Sequence, residues 1–509
     1  RPPRSTLFPY TTLFRSASAA KGEPIELIYA DSCINSEKNG RKTKECEGNV
    51  KIIQGNVTVT SDKVIQYIDE NRADFTGNVV VRQEDMILES PKISYFGSTG
   101  IAISNSGITV RDKKGKLKAD RGTYSTQTQI ADFMGNVAVT DDTVKIFTDV
   151  VQYHRNTRIS YAYGNVRIEE DSVVIYSDTA EHHRNTRLSY AYGNVRIVDD
   201  SVLIFADRIE HERNARLSRA LGNVLVRARF SDILLYADTI VNNTYISQTV
   251  ATGEPIIIQI DTIKSSADTL FLIDTAGNRK QDIVLRPETY DTMSVYSDSI
   301  IVFRVNSEKY VFIDSVRMLK GATMAKCGIA VYHKAGEIIE LMISPVVWYD
   351  STQLHGDTII VKIPGRKLEE IHSTGNSFAA SRDDTLGADR VNQILGREII
   401  IRIEDDTIRN IYSFGDTKSL YYVFTEGAAD GAMRDGSDTI VIEFTKGEIE
   451  KVNWLGGIEG EFLPENIIYS NPKSFYLPGF RWDSDRPRKK QLSETRRKFE
   501  KLAGMGVTK

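Results

Sequence analysis

Histidines recur at matched positions in this sequence, and stacked histidines are one way to hold a metal ion. His154 and His183 occupy the same place in two nearly identical stretches, and His211 follows at almost the same interval. No cysteine or carboxylate accompanies them at the spacing of metal ligands. Since His154 and His183 each precede Arg-Asn, the pattern favours a turn over a metal centre, and we expect neither a metal nor another cofactor.

Aspartate also recurs, and a ladder of carboxylates is a candidate calcium site. The repeated positions are Asp62, Asp149, Asp178, Asp207 and Asp238. The glycine-rich nonapeptide of calcium β-rolls is missing, and Asp at the end of a strand is ordinary turn chemistry. The sequence also has no nucleophile elbow, phosphate loop or zinc motif, so we expect no enzyme activity.

Composition excludes several classes of protein. The 509 residues carry 69 acidic and 65 basic side chains, a near balance that does not favour nucleic acid as a partner. No apolar run is long enough for a transmembrane helix. The three cysteines, Cys33, Cys46 and Cys327, are too few for a disulfide-dense scaffold. Cys33 and Cys46 can pair if the protein is exported, which the sequence leaves open.

The N-terminal residues do not resemble folded protein. Residues 6–16 read TLFPYTTLFRS, which is the translation of a common sequencing-library adapter, so residues 1–16 are interpreted as an artefact. Residues 17–24 begin with Ala-Ser-Ala-Ala, a run typical of the end of a signal peptide. We therefore expect an exported protein whose leader is largely missing from this chain.

A repeat organises the first half of the sequence. The stretch from His154 to Asp178 returns almost unchanged from His183 to Asp207. The tripeptide Gly-Asn-Val keeps the same period, and a fixed period of this length is typical of stacked repeats. It begins at Gly48, Gly77, Gly135, Gly164, Gly193 and Gly222.

Within each repeat, apolar and polar residues alternate. Val166-Arg167-Ile168 follows one glycine, and a second alternating run such as Val144–Asp149 ends in aspartate. Period-two alternation of β-branched residues predicts half-buried strands, and a one-residue slip would turn every side chain to the other face. The sequence therefore predicts an all-β protein of repeated antiparallel strands in an elongated, solenoid-like stack.

The period changes near residue 260. Three later stretches, from Gly356, Gly396 and Ser437, each read as a strand, a turn and a return strand, which predicts β-hairpins. We therefore expect a β-repeat domain over residues 25–260 and a second domain of hairpin units over 261–480. Residues 481–509 are rich in Arg and Lys and predict a basic C-terminal tail, with a short helix over 491–503.

The motif GNVKIIQGNVTVTSDKV, from Gly48 to Val64, resembles the OstA family. These are periplasmic lipopolysaccharide-transport proteins, among them the Lpt bridge component A and the N-terminal domain of Lpt component D. The resemblance covers about residues 25–260 and implies a V-shaped, open β-jellyroll, also called a β-taco. It further implies a periplasmic location in a Gram-negative cell, with outer-membrane association left open. The implied partners are lipopolysaccharide and other Lpt-type jellyrolls, added end to end.

An apolar groove between two sheets would shelter acyl chains, because each buried methylene contributes about 0.8 kcal/mol. The alternating pattern selects the side chains that face inward, and with the resemblance they become the expected lipid-binding residues. The alternative is that they close a dry core. They are Val50, Ile52, Val57, Val59, Phe75, Val79, Val81, Phe133, Val137, Val139, Val144, Ile146, Val166, Ile168, Val173, Ile175, Val195, Ile197, Val202, Ile204, Val224, Val226, Ile233 and Leu235.

Other functions stay open at this point. A structural or glycan-binding β-solenoid would have the same strands with a dry core, and a polysaccharide-acting β-helix enzyme is a weaker alternative. Outward Arg167, Arg196, Lys51 and Lys145 are candidates for anionic sugars, although a solvated face is the favoured interpretation. Four tyrosines form a stripe expected on the outer face, namely Tyr161, Tyr163, Tyr190 and Tyr192.

Overall fold

The computed structural model describes residues 26–488 with short gaps, and the chain divides into two compact units. Unit 1 holds the described residues up to 228 together with 243–245, and unit 2 holds the described residues 233–242 and those from 246 onward. The predicted artefact, the leader remnant and the helix over 491–503 lie outside the described residues. The gaps are residues 84, 112–114, 142–143, 171–172, 184, 199–201, 213, 229–232, 263–266, 274–278, 286–289, 305–307, 383–388, 426–427 and 446.

Unit 1 is built from antiparallel strands, as the alternating pattern predicts. Its strands are β1 (Glu26–Tyr29), β2 (Ser32–Lys38), β3 (Arg41–Gln54), β4 (Val57–Tyr67), β5 (Arg72–Gln83), β6 (Met86–Phe96), β7 (Ile101–Ser104), β8 (Ile108–Arg111), β9 (Gly115–Ala119), β10 (Arg121–Ser125), β11 (Ile130–Asp141), β12 (Val144–His154), β13 (Ile159–Glu170), β14 (Val173–His183), β15 (Leu188–Val198), β16 (Val202–Glu212) and β17 (Leu217–Ala228).

Unit 2 is also built from antiparallel strands. They are β18 (Ile233–Asn243), β19 (Gln248–Thr252), β20 (Ile256–Thr262), β21 (Ala267–Ile273), β22 (Arg279–Leu285), β23 (Tyr290–Tyr296), β24 (Ser299–Phe303), β25 (Lys309–Lys320), β26 (Thr323–His333), β27 (Ile338–Met342), β28 (Val346–Tyr349), β29 (Thr352–His355), β30 (Thr358–Lys362), β31 (Glu370–Arg382), β32 (Val391–Glu404), β33 (Thr407–Thr425), β34 (Ala428–Thr445), β35 (Glu448–Leu455) and β36 (Glu459–Pro464).

Helical structure among the described residues is short. A 3₁₀ turn over Pro364–Arg366 joins β30 to β31, α1 (Glu465–Ile468) follows β36, and a second 3₁₀ turn covers Pro472–Phe475. In the part of the chain that the structure describes, no helix is long and apolar enough to cross a bilayer. The all-β class predicted from the sequence is confirmed.

The long strands bend in the middle, at a bulge. The pairing of β4 with β5 runs from Val57 to Thr60, shifts register, and resumes at Lys63. The first half of β4 therefore lies in one wall of the unit and the second half in another. The sequence-based prediction that a strand ends at Asp62 was wrong, because β4 continues through this residue to Tyr67. A bulge bends a strand without interrupting the sheet.

The bend is held by aspartate and by the Gly-Asn pair of the next strand. Gly77 and Asn78 have positive φ angles of 76° and 46°. Asn78 Nδ2 donates a hydrogen bond of 2.9 Å to Asp62 Oδ2. A Cβ at Gly77 would lie 2.3 Å from the same oxygen, so only glycine fits there. The pair recurs as Asn49–Asp31, Asn136–Asp120, Asn165–Asp149, Asn194–Asp178 and Asn223–Asp207.

The core of unit 1 lies between the two walls. Near its N-terminus, Val50 and Val79 of one wall pack in a single cluster with Val64, Phe75 and Ile93 of the other. A second cluster continues from Ile108 to Ala180 with the same arrangement. In both walls, the residues at every second position thus face the same interior.

Unit 2 repeats this construction. Strand β25 pairs with β26 on both sides of a register shift between Ile313 and Val316. Asn376 Nδ2 donates to Asp357 Oδ2 at 3.0 Å, as the corner pairs of unit 1 do. The predicted hairpins from residues 356, 396 and 437 are present as β30–β31, β32–β33 and β34–β35. The two halves of β25 lie in different walls of unit 2. We call the wall that contains Val316–Lys320 wall A, and the wall that contains Lys309–Ile313 wall B.

Candidate functional site

The residues expected to face the groove fall into two groups by burial. Thirteen are buried, namely Val50, Phe75, Val79, Phe133, Val137, Val139, Val144, Ile146, Val166, Ile168, Val195, Val224 and Leu235. The others are half-buried, namely Ile52, Val57, Val59, Val81, Val173, Ile175, Ile197, Val202, Ile204, Val226 and Ile233. That these side chains contact lipid stays a prediction.

The middle of unit 1 is closed. Val144, Ile146, Val166 and Ile168 are 0 to 2% exposed and belong to one packed cluster. Toward the C-terminal end of the same register row, Ile175 and the residues beyond it are half-buried. A hydrocarbon chain could enter the middle only if the two walls moved apart.

The outer face of β16 departs from the predicted pattern. Leu203 and Phe205 alternate with the inward positions Val202 and Ile204, so parity places them outside, yet they are 1% and 5% exposed. The stretch Val202–Ala206 has no polar residue to mark a solvent face. That run of apolar residues was the available signal that the outer face of β16 is covered as well, while Val202 and Ile204 on the inner face are half-buried.

The stripe of four tyrosines has the outward parity that the sequence predicts. Tyr161 and Tyr163 stack with 6.1 Å between ring centroids, and Tyr190 and Tyr192 stack at 5.8 Å. The guanidinium of Arg208 lies 5.0 Å from each of the latter two rings. Each tyrosine pair consists of neighbours on the same face of one strand, and Arg208 packs against Tyr190 and Tyr192 from the adjacent strand β16.

The predicted histidines are held by neighbouring side chains. His154 Nε2 is 2.7 Å from Gln152 Oε1, and His183 Nε2 contacts Glu181. Among the described residues, no group of three or more His, Cys, Asp or Glu side chains is arranged to hold a metal ion. The recurring aspartates instead accept hydrogen bonds from asparagine at the corners.

Cys33 and Cys46 form a disulfide between β2 and β3. The two residues are direct cross-strand partners with a Cα–Cα distance of 4.1 Å. The bridge ties the first hairpin to the stack. Cys327 is buried as a thiol, and desolvation raises its pKa to about 12, so it is a packing residue rather than a nucleophile.

Unit 2 contains an apolar gap between its two walls. From wall A it is lined by Met293, Met318, Ala325 and Val347, and from wall B by Ile339, Leu341, Val361 and Ile363. The gap is narrow, with a cavity volume of about 40 Å³. A neighbouring gap shares Met293, Met318 and Ile339. The sequence-based list of groove residues missed this region, because it stopped at Leu235.

The wall A side of the gap belongs to a continuous register row. Val295 pairs with Met318, Met318 with Ala325, and Ala325 with Val347. On wall B the equivalent row is Tyr310, Tyr332, Ile339 and Val361. Facing rows of apolar side chains are suited to holding a hydrocarbon and offer nothing for bond chemistry.

The C-terminal segment covers the outer face of wall A. We call residues 465–488 the strap. Gln353 on the outer face donates to Arg481 O at 2.9 Å and accepts from Asp483 N at 2.8 Å. Gln393 accepts from Leu477 N at 2.9 Å, and Asp485 pairs with Arg317. The first residues of the predicted basic tail are thus docked on the sheet.

Comparisons with known proteins agree with the sequence motif. Residues 27–159 match the family of the LptA/(LptD N-terminal domain) LPS transport protein, and residues 116–222 and 154–249 match the OstA-like protein family. A comparison with curated proteins gives no match. Among solved structures, the chain is similar to LptH of Pseudomonas aeruginosa, described as the LptA homologous periplasmic component of the conserved lipopolysaccharide transport device. Identity is 16%, coverage is 28% of this chain and 95% of that chain, and the TM-score is 0.22. The resemblance to the OstA family that the motif predicts is thus confirmed over residues 27–249.

Proposed function

We propose that this protein binds lipopolysaccharide and carries or bridges it toward the outer membrane, sheltering the acyl chains between the two walls of its bent sheets. The observation that carries the proposal is the apolar gap of unit 2, lined from both sides by rows of aliphatic side chains. The family match of residues 27–249 names the transported lipid class.

The physical requirement is a path that keeps hydrocarbon out of water. A chain of a dozen methylenes loses roughly 10 kcal/mol on exposure, which makes free diffusion between membranes slow. Facing rows of aliphatic residues remove most of that barrier along the length of a stack. No catalytic group is needed, and we propose none.

Loading requires the closed segments to open. In each repeat the two walls share strands at the Gly-Asn corner, while their other rims end in separate turns such as Ile68–Asn71. The side chains that fill the space between the walls are apolar, as in the cluster that contains Val50, Val64 and Phe75. Acyl chains can replace such contacts with little loss of apolar burial, so the walls would spread about the corner.

The proposed location is the periplasm, and the proposed protein partners are other jellyrolls of the same kind. Strand β36 pairs with β34 along one edge, and β1 pairs with β3 in the same way. Edge strands accept an added strand through their free backbone groups. End-to-end addition at these edges would extend the interior from one molecule to the next. Nucleic acid is not among the proposed partners.

A second candidate function is a structural or glycan-binding solenoid of the cell envelope. The closed interior around Ile146 and Ile168 favours it, because a dry core has no space for a ligand. In that case lipopolysaccharide would not reach inward positions in either unit.

Site-specific photocrosslinking distinguishes the two functions. A photoreactive residue at Ile339, which lines the gap, is compared with one at Glu340, whose side chain is 41% exposed on the opposite face. Ile175 and Tyr176 are the matching inward and outward pair in unit 1. We expect crosslinks to lipopolysaccharide from Ile339 and Ile175 in a Gram-negative cell. Crosslinks confined to Glu340 and Tyr176, or no crosslinks from any folded variant, would contradict the binding of lipopolysaccharide between the walls.

A further inference from the structure

The wall A row changes its chemistry toward the C-terminal end of unit 2. Beyond Val347 the cross-strand partners continue through Leu354, Ala379 and Ile394, and then through Ser419, Asp435 and Gly460. All of these residues face the same side of the sheet, because each is the direct partner of the one before. An apolar row thus ends in a hydroxyl, a carboxyl and a glycine.

Both polar side chains are buried, and each has one oxygen atom without a hydrogen-bond partner among the described residues. Ser419 is 6% exposed and Asp435 is 8% exposed. Ser419 Oγ and Asp435 Oδ2 make no hydrogen bond to any described residue. Native proteins satisfy nearly all buried polar atoms, so two adjacent unsatisfied groups indicate a ligand or a functional role.

The local geometry keeps the carboxyl accessible. Gly460 lies opposite Asp435, and a Cβ there would be 2.4 Å from Asp435 Oδ1, so the absence of a side chain makes room for the carboxyl group. Phe462, two residues along on the same face, is 49% exposed. The inner face is therefore open to solvent beside Asp435.

Aromatic residues bring the two walls together at the same place. Tyr421 of wall A, two residues from Ser419, stacks on Trp454 of wall B with 6.5 Å between ring centroids. Trp454 Nε1 is also buried without a hydrogen-bond acceptor. Burial, with a smaller contribution from the Asp435 carboxyl, raises the pKa of Tyr421. Apolar rings thus adjoin the unsatisfied polar groups.

We propose that Ser419 and Asp435 form a polar subsite at the C-terminal end of the wall A row, which binds a hydroxyl group carried on a hydrocarbon chain. The proposal rests on the proposed function and adds to it a recognition step. A hydroxyl can donate to the Asp435 carboxyl while it accepts from Ser419 Oγ, and the attached chain lies along the aliphatic row. An unsubstituted chain would leave both groups unsatisfied.

Burial raises the pKa of Asp435, and among the described residues no cation is paired with its carboxyl group. A carboxyl that is largely withdrawn from water gains more from a neutral hydroxyl than a fully solvated carboxyl does. The subsite would therefore discriminate between two chains that differ in one hydroxyl, as buried polar sites do.

The test uses two neutral probes, methyl 3-hydroxytetradecanoate and methyl tetradecanoate, and the full chain. Each probe displaces the apolar dye 1-aminoanthracene, and the ratio of the two Kd values is the readout. We expect the wild type to bind the hydroxylated ester about tenfold more tightly. The double variant Ser419→Ala/Asp435→Leu should bind both esters equally, and Ser419→Ala alone should show an intermediate ratio. Arg434→Ala, on the opposite face beside Asp435, should keep the wild-type ratio.

Each outcome has one meaning. Equal Kd values for the two esters in the wild type would overturn the subsite and leave the groove in place. A ratio that persists in the double variant would also overturn it, because the hydroxyl would then be recognised elsewhere. Failure of both esters to displace the dye from the folded wild type would count against the proposed function itself. If the double variant does not fold, the Ser419→Ala ratio decides, and an unchanged ratio overturns the subsite.

Discussion

Asn165 Nδ2 donates a hydrogen bond of 2.9 Å to Asp149 Oδ2, sixteen residues earlier in the chain. The two residues lie on neighbouring strands, β13 and β12, at the bulge where both strands bend from one wall to the other. Gly164, next to Asn165, has a φ of 77°, and a Cβ there would meet the same carboxylate oxygen at 2.4 Å. The repeated Gly-Asn and Asp thus form the corner between the walls.

We expect Gly164→Ala to destabilise unit 1 by about 1–3 kcal/mol, because alanine is strained at positive φ and its methyl group displaces Asp149. Asn165→Ala should cost about 1 kcal/mol through loss of the hydrogen bond. The measurement is the denaturant midpoint of the full chain. Arg167→Ala on the outer face is the control and should change the midpoint little. A Gly164→Ala variant as stable as this control would contradict the conclusion that glycine is required at the corner between the walls.

Removal of the disulfide should loosen the N-terminal hairpin without unfolding the rest of unit 1. Cys33 and Cys46 are direct partners on β2 and β3, and the closed loop spans 13 residues. A bridge of this loop size is expected to contribute about 3 kcal/mol. Cys33→Ser/Cys46→Ser should raise hydrogen exchange in β1–β3 and leave β12–β14 unchanged. Cys327→Ser, away from the bridge, is the control. Unchanged exchange in β2 would show that the pairing of β2 with β3 is enough.

The alternating pattern predicted the strands and their inward residues well, because one face of each strand is apolar and the other is polar. Val166 and Ile168 are buried, while Arg167 between them is a half-exposed partner of Glu169. Alternation cannot reveal that a strand continues through a bulge. A residue such as Asp149 therefore looked like a strand end, although β12 runs on to His154.

The candidate site was harder to predict. The site depends on which strands among β18–β36 pair with each other. These strands can be far apart in the sequence, so local patterns do not predict the pairing. Ser419 and Asp435 are adjacent in space because β33 pairs with β34 in one register, whereas in the sequence they are ordinary polar residues. Residues 481–488 of the strap were assigned to a basic tail because residues 481–509 are rich in Arg and Lys. Its contacts with Gln353 and Gln393 use backbone groups, which carry no sequence signal.

Gln353 should be a sensitive position for the strap. It is fully buried, and its amide satisfies both Arg481 O and Asp483 N. Gln353→Leu removes both hydrogen bonds and should cost about 2–4 kcal/mol, since two backbone groups lose their partners. We expect limited proteolysis to cleave within residues 477–488 of this variant. Arg486→Ala, which removes one exposed contact to Asp350 O, is the milder control. Equal resistance of the three proteins to cleavage would show that the strap does not depend on Gln353.

His355 should make the strap-covered face of unit 2 sensitive to acid. Burial, with a smaller contribution from Arg481, lowers the pKa of His355 from 6.5 to about 4. Its ring stacks on Phe378 with 5.4 Å between centroids, and Nε2 has no hydrogen-bond partner among the described residues. Between pH 6.5 and 4 the unfolded chain binds a proton that the folded chain does not. The free energy of unfolding should therefore fall as the pH is lowered through this window.

The substitution His355→Phe separates this effect from the other titrating groups. Phenylalanine preserves the stacking on Phe378 and cannot take up a proton. We expect the stability of the wild type to drop more steeply than that of the variant between pH 6.5 and 4, measured by denaturant unfolding at matched ionic strength. His154→Phe, at a half-buried position in unit 1 away from the strap, is the matched control for the substitution itself. Parallel profiles for wild type and His355→Phe would mean that His355 can be protonated in the folded state at little cost, in conflict with its burial between Phe378 and the strap.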